Sequence, residues 1–168
     1  TFFQETASQR DIRIAAVELR DALRTAESSQ RGYLLTGNQI YLAPYDTAKT
    51  GAAQELDVLG RAIGPDAPNR AMLPALSDAV GEKIAEMDST IALKRAGRDA
   101  EALALIQRNR GKALMDEINV FLYGAILLAD EGGALGSAEQ QRNASLLRRI
   151  SAVAAAVAAS ITTFSSSS

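Results

Sequence analysis

Apolar residues recur along this chain at steps of three and four, the spacing that gathers them on one face of an α-helix. Between residues 4 and 35 the repeat is Ile12, Ala16, Leu19, Leu23 and Ala26, while Arg10, Arg13, Arg20, Asp21 and Arg24 fall mostly off that face. With no Gly or Pro before Gly32, the pattern predicts one helix of about 32 residues, about 48 Å long at the helical rise. A second stripe, Tyr41, Tyr45, Ala48, Ala52, Leu56, Leu59 and Ile63, predicts a helix over 39–63, with Pro44 near its first turn, where a missing amide proton costs little. A third, Leu73, Leu76, Val80, Ile84, Met87 and Ile91, predicts a helix over 70–96 that properly begins near Leu73 because of Pro74. A fourth starts near Asp99, a candidate cap, and places Leu103, Ile106, Leu114, Ile118, Phe121, Leu122, Ala125 and Leu128 inward. It can run on to Arg149, with a kink or frayed stretch at Gly132, Gly133 and Gly136, each costing about 1 kcal/mol relative to Ala.

The punctuation between these stripes sets the architecture. Gly37 suits the left-handed position just past a helix end, and Asn38 can cap the helix that follows. Thr36-Gly37-Asn38 is therefore a corner, with Tyr33, Leu34 and Leu35 on one arm and Tyr41, Leu42 and Tyr45 on the other. Gly64-Pro65-Asp66-Ala67-Pro68-Asn69 is the clearest loop, and Gly97 ends the third helix. Short connections imply an all-α, up-down-up-down antiparallel four-helix bundle with long first and fourth helices. The Gly37 and Gly97 turns then lie at one end, and the 64–69 loop with both termini towards the other. Residues 1–149 make the helical domain. Residues 150–168 are an apolar, serine-ended tail, read either as a helix end with appended serines or as the start of a transmembrane helix; its 150–164 run falls short of the roughly 20 residues a bilayer needs.

Composition narrows the chemistry. The 168 residues suit one domain, 47% are hydrophobic and only 5% aromatic, which favours helices packed through small and aliphatic side chains. Eighteen basic against 20 acidic residues give a net charge of -2, too balanced for a nucleic-acid binder. Cysteine and histidine are both absent, so there is no disulfide, no Ser-His-Asp or Cys-His arrangement, and no Glu-x-x-His pair for a di-iron centre. Paired carboxylates can still act as acid and base, but Asp and Glu are scattered with no distinctive pairing, so no catalytic, metal or cofactor site stands out, and the glycines at 132–136 follow no strand and so form no phosphate loop.

What remains is a polar level in the bundle. Counted from the Gly37 and Gly97 turns, Gln30, Arg31 and Thr90 lie six or seven residues down with Tyr45 at comparable depth, which puts Glu27, Gln30, Arg31, Tyr45, Lys83, Glu86 and Thr90 in adjacent layers of the distal half. They make either a buried hydrogen-bond and ion-pair layer that fixes helix register, a pocket for a small polar or anionic molecule, or a solvated face. Arg31 is the best single candidate, because its guanidinium can hold a carboxylate bidentately. Gly111 marks a close helix approach, Lys112 suits an exposed helix position, and Tyr33, Tyr41, Tyr45 and Tyr123 are read as core tyrosines.

Glu27-x-x-Gln30-Arg31-Gly32-Tyr33-Leu34-Leu35-Thr36-Gly37, followed by Tyr41-Leu42 and Pro44-Tyr45, resembles the signature of the third class of CHASE domains, the cyclase/histidine-kinase-associated sensing extracellular modules. Lys83-x-x-Glu86, Thr90-Ile91-x-Leu93, the Gly97 turn and Gly111-Lys112-x-Leu114-Met115-Asp116-x-Ile118 continue the match in order, so it spans 5–126. The resemblance implies a non-catalytic periplasmic or extracellular sensor domain, bracketed by two helices of the cell membrane and attached to a histidine kinase module. It implies a homodimer through the long first and fourth helices, responding to a small-molecule or protein cue by helix displacement. The rival reading is a helical bundle that senses nothing and serves a structural or protein-interaction role.

Overall fold

The computed structural model describes the backbone of residues 2–131 and the side chains of residues 9–131. All regular structure among these residues is helical: α1 (Phe2–Thr36), α2 (Leu42–Ala62), α3 (Leu73–Arg95), α4 (Asp99–Gln107) and a helix over 110–131, α5. Two 3-10 turns, Gln39–Tyr41 and Arg70–Met72, lead into α2 and α3. None of the described helices is long and apolar enough to cross a membrane. The expected continuation to Arg149, the glycines at 132–136 and the 150–168 tail lie outside the described residues.

The corners form for the reasons their residues give. At the end of α1, Gly37 sits at φ 67° and its amide donates to the Tyr33 carbonyl, while Asn38 accepts from the Ile40 amide at 3.0 Å and opens the next turn. At the end of α3, Gly97 sits at φ 72°, its amide donating to Lys94 and the Arg98 amide to Leu93, the paired bonds of a Schellman motif. Arg70 reaches back and donates to the carbonyls of Gly60 and Ile63 at 2.7 and 2.9 Å, closing the end of α2.

Contacts fix how the helices run. Gly32 lies under the Tyr41 ring and Gly51 faces Ala22, so α1 and α2 are antiparallel; a Cβ on Gly32 would fall 2.6 Å from the ring, which explains the glycine. Tyr45 meets Asp88, while Leu56 and Gly60 share a surface with Leu73 and Ser77, so α3 opposes α2. Lys83 meets Gly111 and Met72 meets Gly124, so α5 opposes α3. The main core joins Ile12, Ala16, Leu19 and Leu23 of α1 to Leu59, Leu76, Val80, Leu114, Ile118 and Leu122. A smaller cluster of Ala26, Tyr33, Tyr45, Ala48, Met87 and Ile91 fills the end near the Gly37 turn.

The expected long fourth helix is corrected. The chain breaks at Arg108 and Asn109, with Asn109 at φ 56°, a left-handed conformation that asparagine tolerates better than most residues. The break resets the helical phase, so the stripe does not continue across it. Leu114, Ile118, Leu122 and Ala125 are buried, but Leu103 and Ile106, expected inward, are 55% and 40% exposed, and Ala102 is the buried residue of α4. Leu128 and Tyr123 are also exposed, so neither is a core residue. Asp99 makes no cap; Arg98 precedes α4 without a side-chain cap and Asp99 pairs with Lys94.

Candidate functional site

Glu27, Gln30 and Arg31 stand at steps of three and four on α1, and Lys83, Glu86 and Thr90 do the same on α3, so each set lies along one side of its helix. Lys83 is 2% exposed and so must find partners: its ammonium donates to Glu27 Oε1 at 2.8 Å and to the Gly111 carbonyl at 3.0 Å. One side chain thereby ties α1, α3 and α5 together. One step along, Gln30 Nε2 donates to Thr90 Oγ1 at 2.6 Å, and Thr90 donates to the Met87 carbonyl at 2.8 Å. Both residues are buried.

Arg31 stands at the edge of this layer. It donates to the same Glu27 Oε1 at 3.1 Å, yet its side chain is 68% exposed. Two cations therefore share one carboxylate. Glu86 is held against Gly111: a Cβ there would fall 3.0 Å from the carboxyl carbon, and Glu86 Oε2 is buried with no hydrogen-bond partner. The expected close approach at Gly111 is thus made by a carboxylate. Lys112 is exposed and pairs with Asp116.

Tyr45 belongs to a different group. It is 2% exposed, and its hydroxyl donates to Asp88 Oδ1 at 2.8 Å, where Lys49 also donates at 2.9 Å. Burial, and then the bond to Asp88, push its pKa far above the ordinary tyrosine value. Asp88 and Lys49 were not singled out from the sequence; the signal was Lys49 one turn beyond Tyr45, which also places its ammonium 5.4 Å from the ring centre. Among the seven polar candidates, the structure forms two separate hydrogen-bonded groups, Lys83–Glu27–Arg31 and Gln30–Thr90, sets Glu86 beside the first and leaves Tyr45 apart.

Two hollows flank Arg31. A cleft of about 100 Å³ is lined by the polar layer together with Asn109, Gly111 and Lys112. A groove of about 440 Å³ opens on the other side, between the end of α1, Lys94 and α4. Three acidic groups placed to hold a metal ion do not occur together among the described residues. The layer offers charge-assisted hydrogen bonds to whatever enters beside it.

A CHASE3 domain family model matches residues 4–125. The crystal structure of the sensor domain of histidine kinase HK9 from Rhodopseudomonas palustris is similar, with a TM-score of 0.66 and 24% identity, covering 75% of this chain and 98% of that one. At that identity the likeness speaks for the fold. Among curated proteins, none matches this sequence.

Proposed function

This chain belongs to the CHASE3 domain family, and from that premise we propose that it is the extracytoplasmic signal-input domain of a membrane-bound sensor histidine kinase. The observation that carries the mechanism is Lys83, whose ammonium bridges α1, α3 and α5 next to the α4–α5 break. A cue that alters this junction would favour one of two helix arrangements, and only its difference in affinity between them can shift the balance. The pairwise antiparallel contacts support an up-down-up-down four-helix bundle in which α4 and α5 together form the fourth rod. The helix ends at residues 2 and 131 would then lead towards flanking membrane helices, with the kinase module on the far side.

A homodimer fits this reading. Val120, Tyr123 and Leu127 lie at three- and four-residue steps on one face of α5 and are 71%, 69% and 45% exposed. The same stripe favours the second reading, a bundle that serves only to dock a protein. A thermal-shift screen of small metabolites separates the two, since a ligand at a hundred times its dissociation constant adds about 2.7 kcal/mol of stability. Nitroxides at Ser28 on α1 and Glu117 on α5 then report displacement. Sensing predicts that a stabilising compound changes the label distance; a broad library with neither effect leaves the docking role.

A further inference from the structure

We propose that the groove beside the Gly37 and Gly97 turns binds a small carboxylic acid with an apolar body, its carboxylate held by Arg31. This deepens the sensory reading, on which it rests, by giving the cue a chemical class. The volume of about 440 Å³ lies within the roughly 300–1,000 Å³ of small-molecule sites. Ala102 forms the buried floor, with Leu34 and Leu35 of α1 on one side and Leu103 and Ile106 of α4 on the other. Leu35, Leu103 and Ile106 are 85%, 55% and 40% exposed, a contiguous apolar surface at one end of the fold.

Charge selects the ligand's other end. Arg31, Lys94 and Asp99 also line the groove, and Asp99 is engaged by Lys94 at 2.8 Å. Arg31 has only a share in Glu27, whose Oε1 already accepts from the buried Lys83. The groove therefore carries an excess of one positive charge, on a guanidinium with donors to spare. A single carboxylate matches that charge and that fork. A strongly polar acid would gain nothing from four apolar walls, and a neutral amphiphile would leave Arg31 with its half share of Glu27.

Arg31 and Ile106 also line the smaller cleft that contains Lys83, Glu86 and Gly111. When a ligand carboxylate draws Arg31 away, Glu27 is left to Lys83 alone, and the change reaches the Gly111 carbonyl at the start of α5. Occupation of the groove is in this way connected to the α4–α5 break.

Calorimetric titration of the chain with octanoate, octanamide and acetate tests this, alongside Arg31→Gln and Leu103→Asp, both exposed positions that leave the core intact. Octanoate should bind, and octanamide and acetate should bind at least about tenfold more weakly. Each substitution should weaken octanoate by a similar factor. The proposal is overturned if octanoate fails to bind, or if it binds both variants as tightly as the parent. It is also overturned if Leu103→Asp halves the sedimenting mass of the ligand-free chain, which would give the groove to a second copy. Octanoate that binds as stated without moving the Ser28–Glu117 label distance leaves the groove standing and removes the sensory reading. A silent octanoate series, with another metabolite moving the labels, removes the groove and leaves sensing intact.

Discussion

At the scale of single residues, Lys83 and Tyr45 show how burial turns a polar group into a structural demand. Lys83→Met strands the Gly111 carbonyl and leaves Glu27 with Arg31 alone, so the loss should fall at the lower end for a broken buried pair, about 3 kcal/mol in urea unfolding. Adding Glu27→Gln should recover part of it, because the carboxylate that has lost its buried partner is then gone. A loss below about 1 kcal/mol would mean that water replaces Lys83 freely. For Tyr45 the folded pKa is raised, so the folded state holds the phenol proton more tightly than the unfolded chain does. Its contribution is complete below the unfolded value near 10.0 and declines as pH rises beyond it. The stability difference between the parent and Tyr45→Phe should therefore be flat from pH 7 to 9 and shrink above 10, as followed by urea midpoints. A difference that grows with alkaline pH would contradict the Tyr45–Asp88 bond.

At the scale of elements, the apolar stripes of α1, α2 and α3 were legible because each helix runs without a break and its period is uninterrupted, and Ala16, Leu59, Val80 and Met87 are buried where the repeat puts them. The turns at Gly37 and Gly97 were legible because only a few residue types accept their backbone. The break before α5 was not, because a left-handed asparagine carries no local mark beyond being an asparagine, and the apolar repeat resumes on its far side. The polar layer was half legible. Register counted from the two turns puts Gln30 level with Thr90, seven residues back from each glycine, whereas Lys83 lies about one turn deeper than Glu27, and its pairing, like the choice of Asp88 as the partner of Tyr45, depends on how the helices approach each other. The break also makes a prediction. At φ 56°, Asn109→Gly should be close to neutral, while Asn109→Ala should cost about 1 kcal/mol, because a Cβ disfavours that conformation. If the Ala variant were instead more stable, α4 and α5 would have merged into one helix, with helical content by circular dichroism rising to match.

At the scale of the whole described molecule, apolar packing is distributed unevenly, and this decides where the fold can move. The main core takes residues from α1, α2, α3 and α5, with Leu19, Leu23, Leu59, Leu114 and Ile118 at 1% exposure or less. The end beyond the polar layer has the smaller cluster around Tyr33 and Met87, and α4 contributes to the buried interior only through Ala102. A nine-residue helix is too short to persist by propensity alone, so α4 depends on that limited packing and on surface pairs such as Arg98–Glu101. The Arg98 guanidinium holds the Glu101 carboxyl below its usual range, and that support is lost as pH falls through the depressed value. Exposed pairs are weak, so α4 should open locally while α5 opens only with the core. In native-state hydrogen exchange, amides at 103–107 should therefore exchange at least about a hundredfold faster than those at 114–122, and should be largely insensitive to low urea. Ligand in the groove should slow the first set without touching the second, since it bridges α1 and α4 and adds nothing to the main core. Exchange of both segments at one common rate would mean that α4 is held as firmly as the core and would leave the fold no soft element through which a bound acid could act.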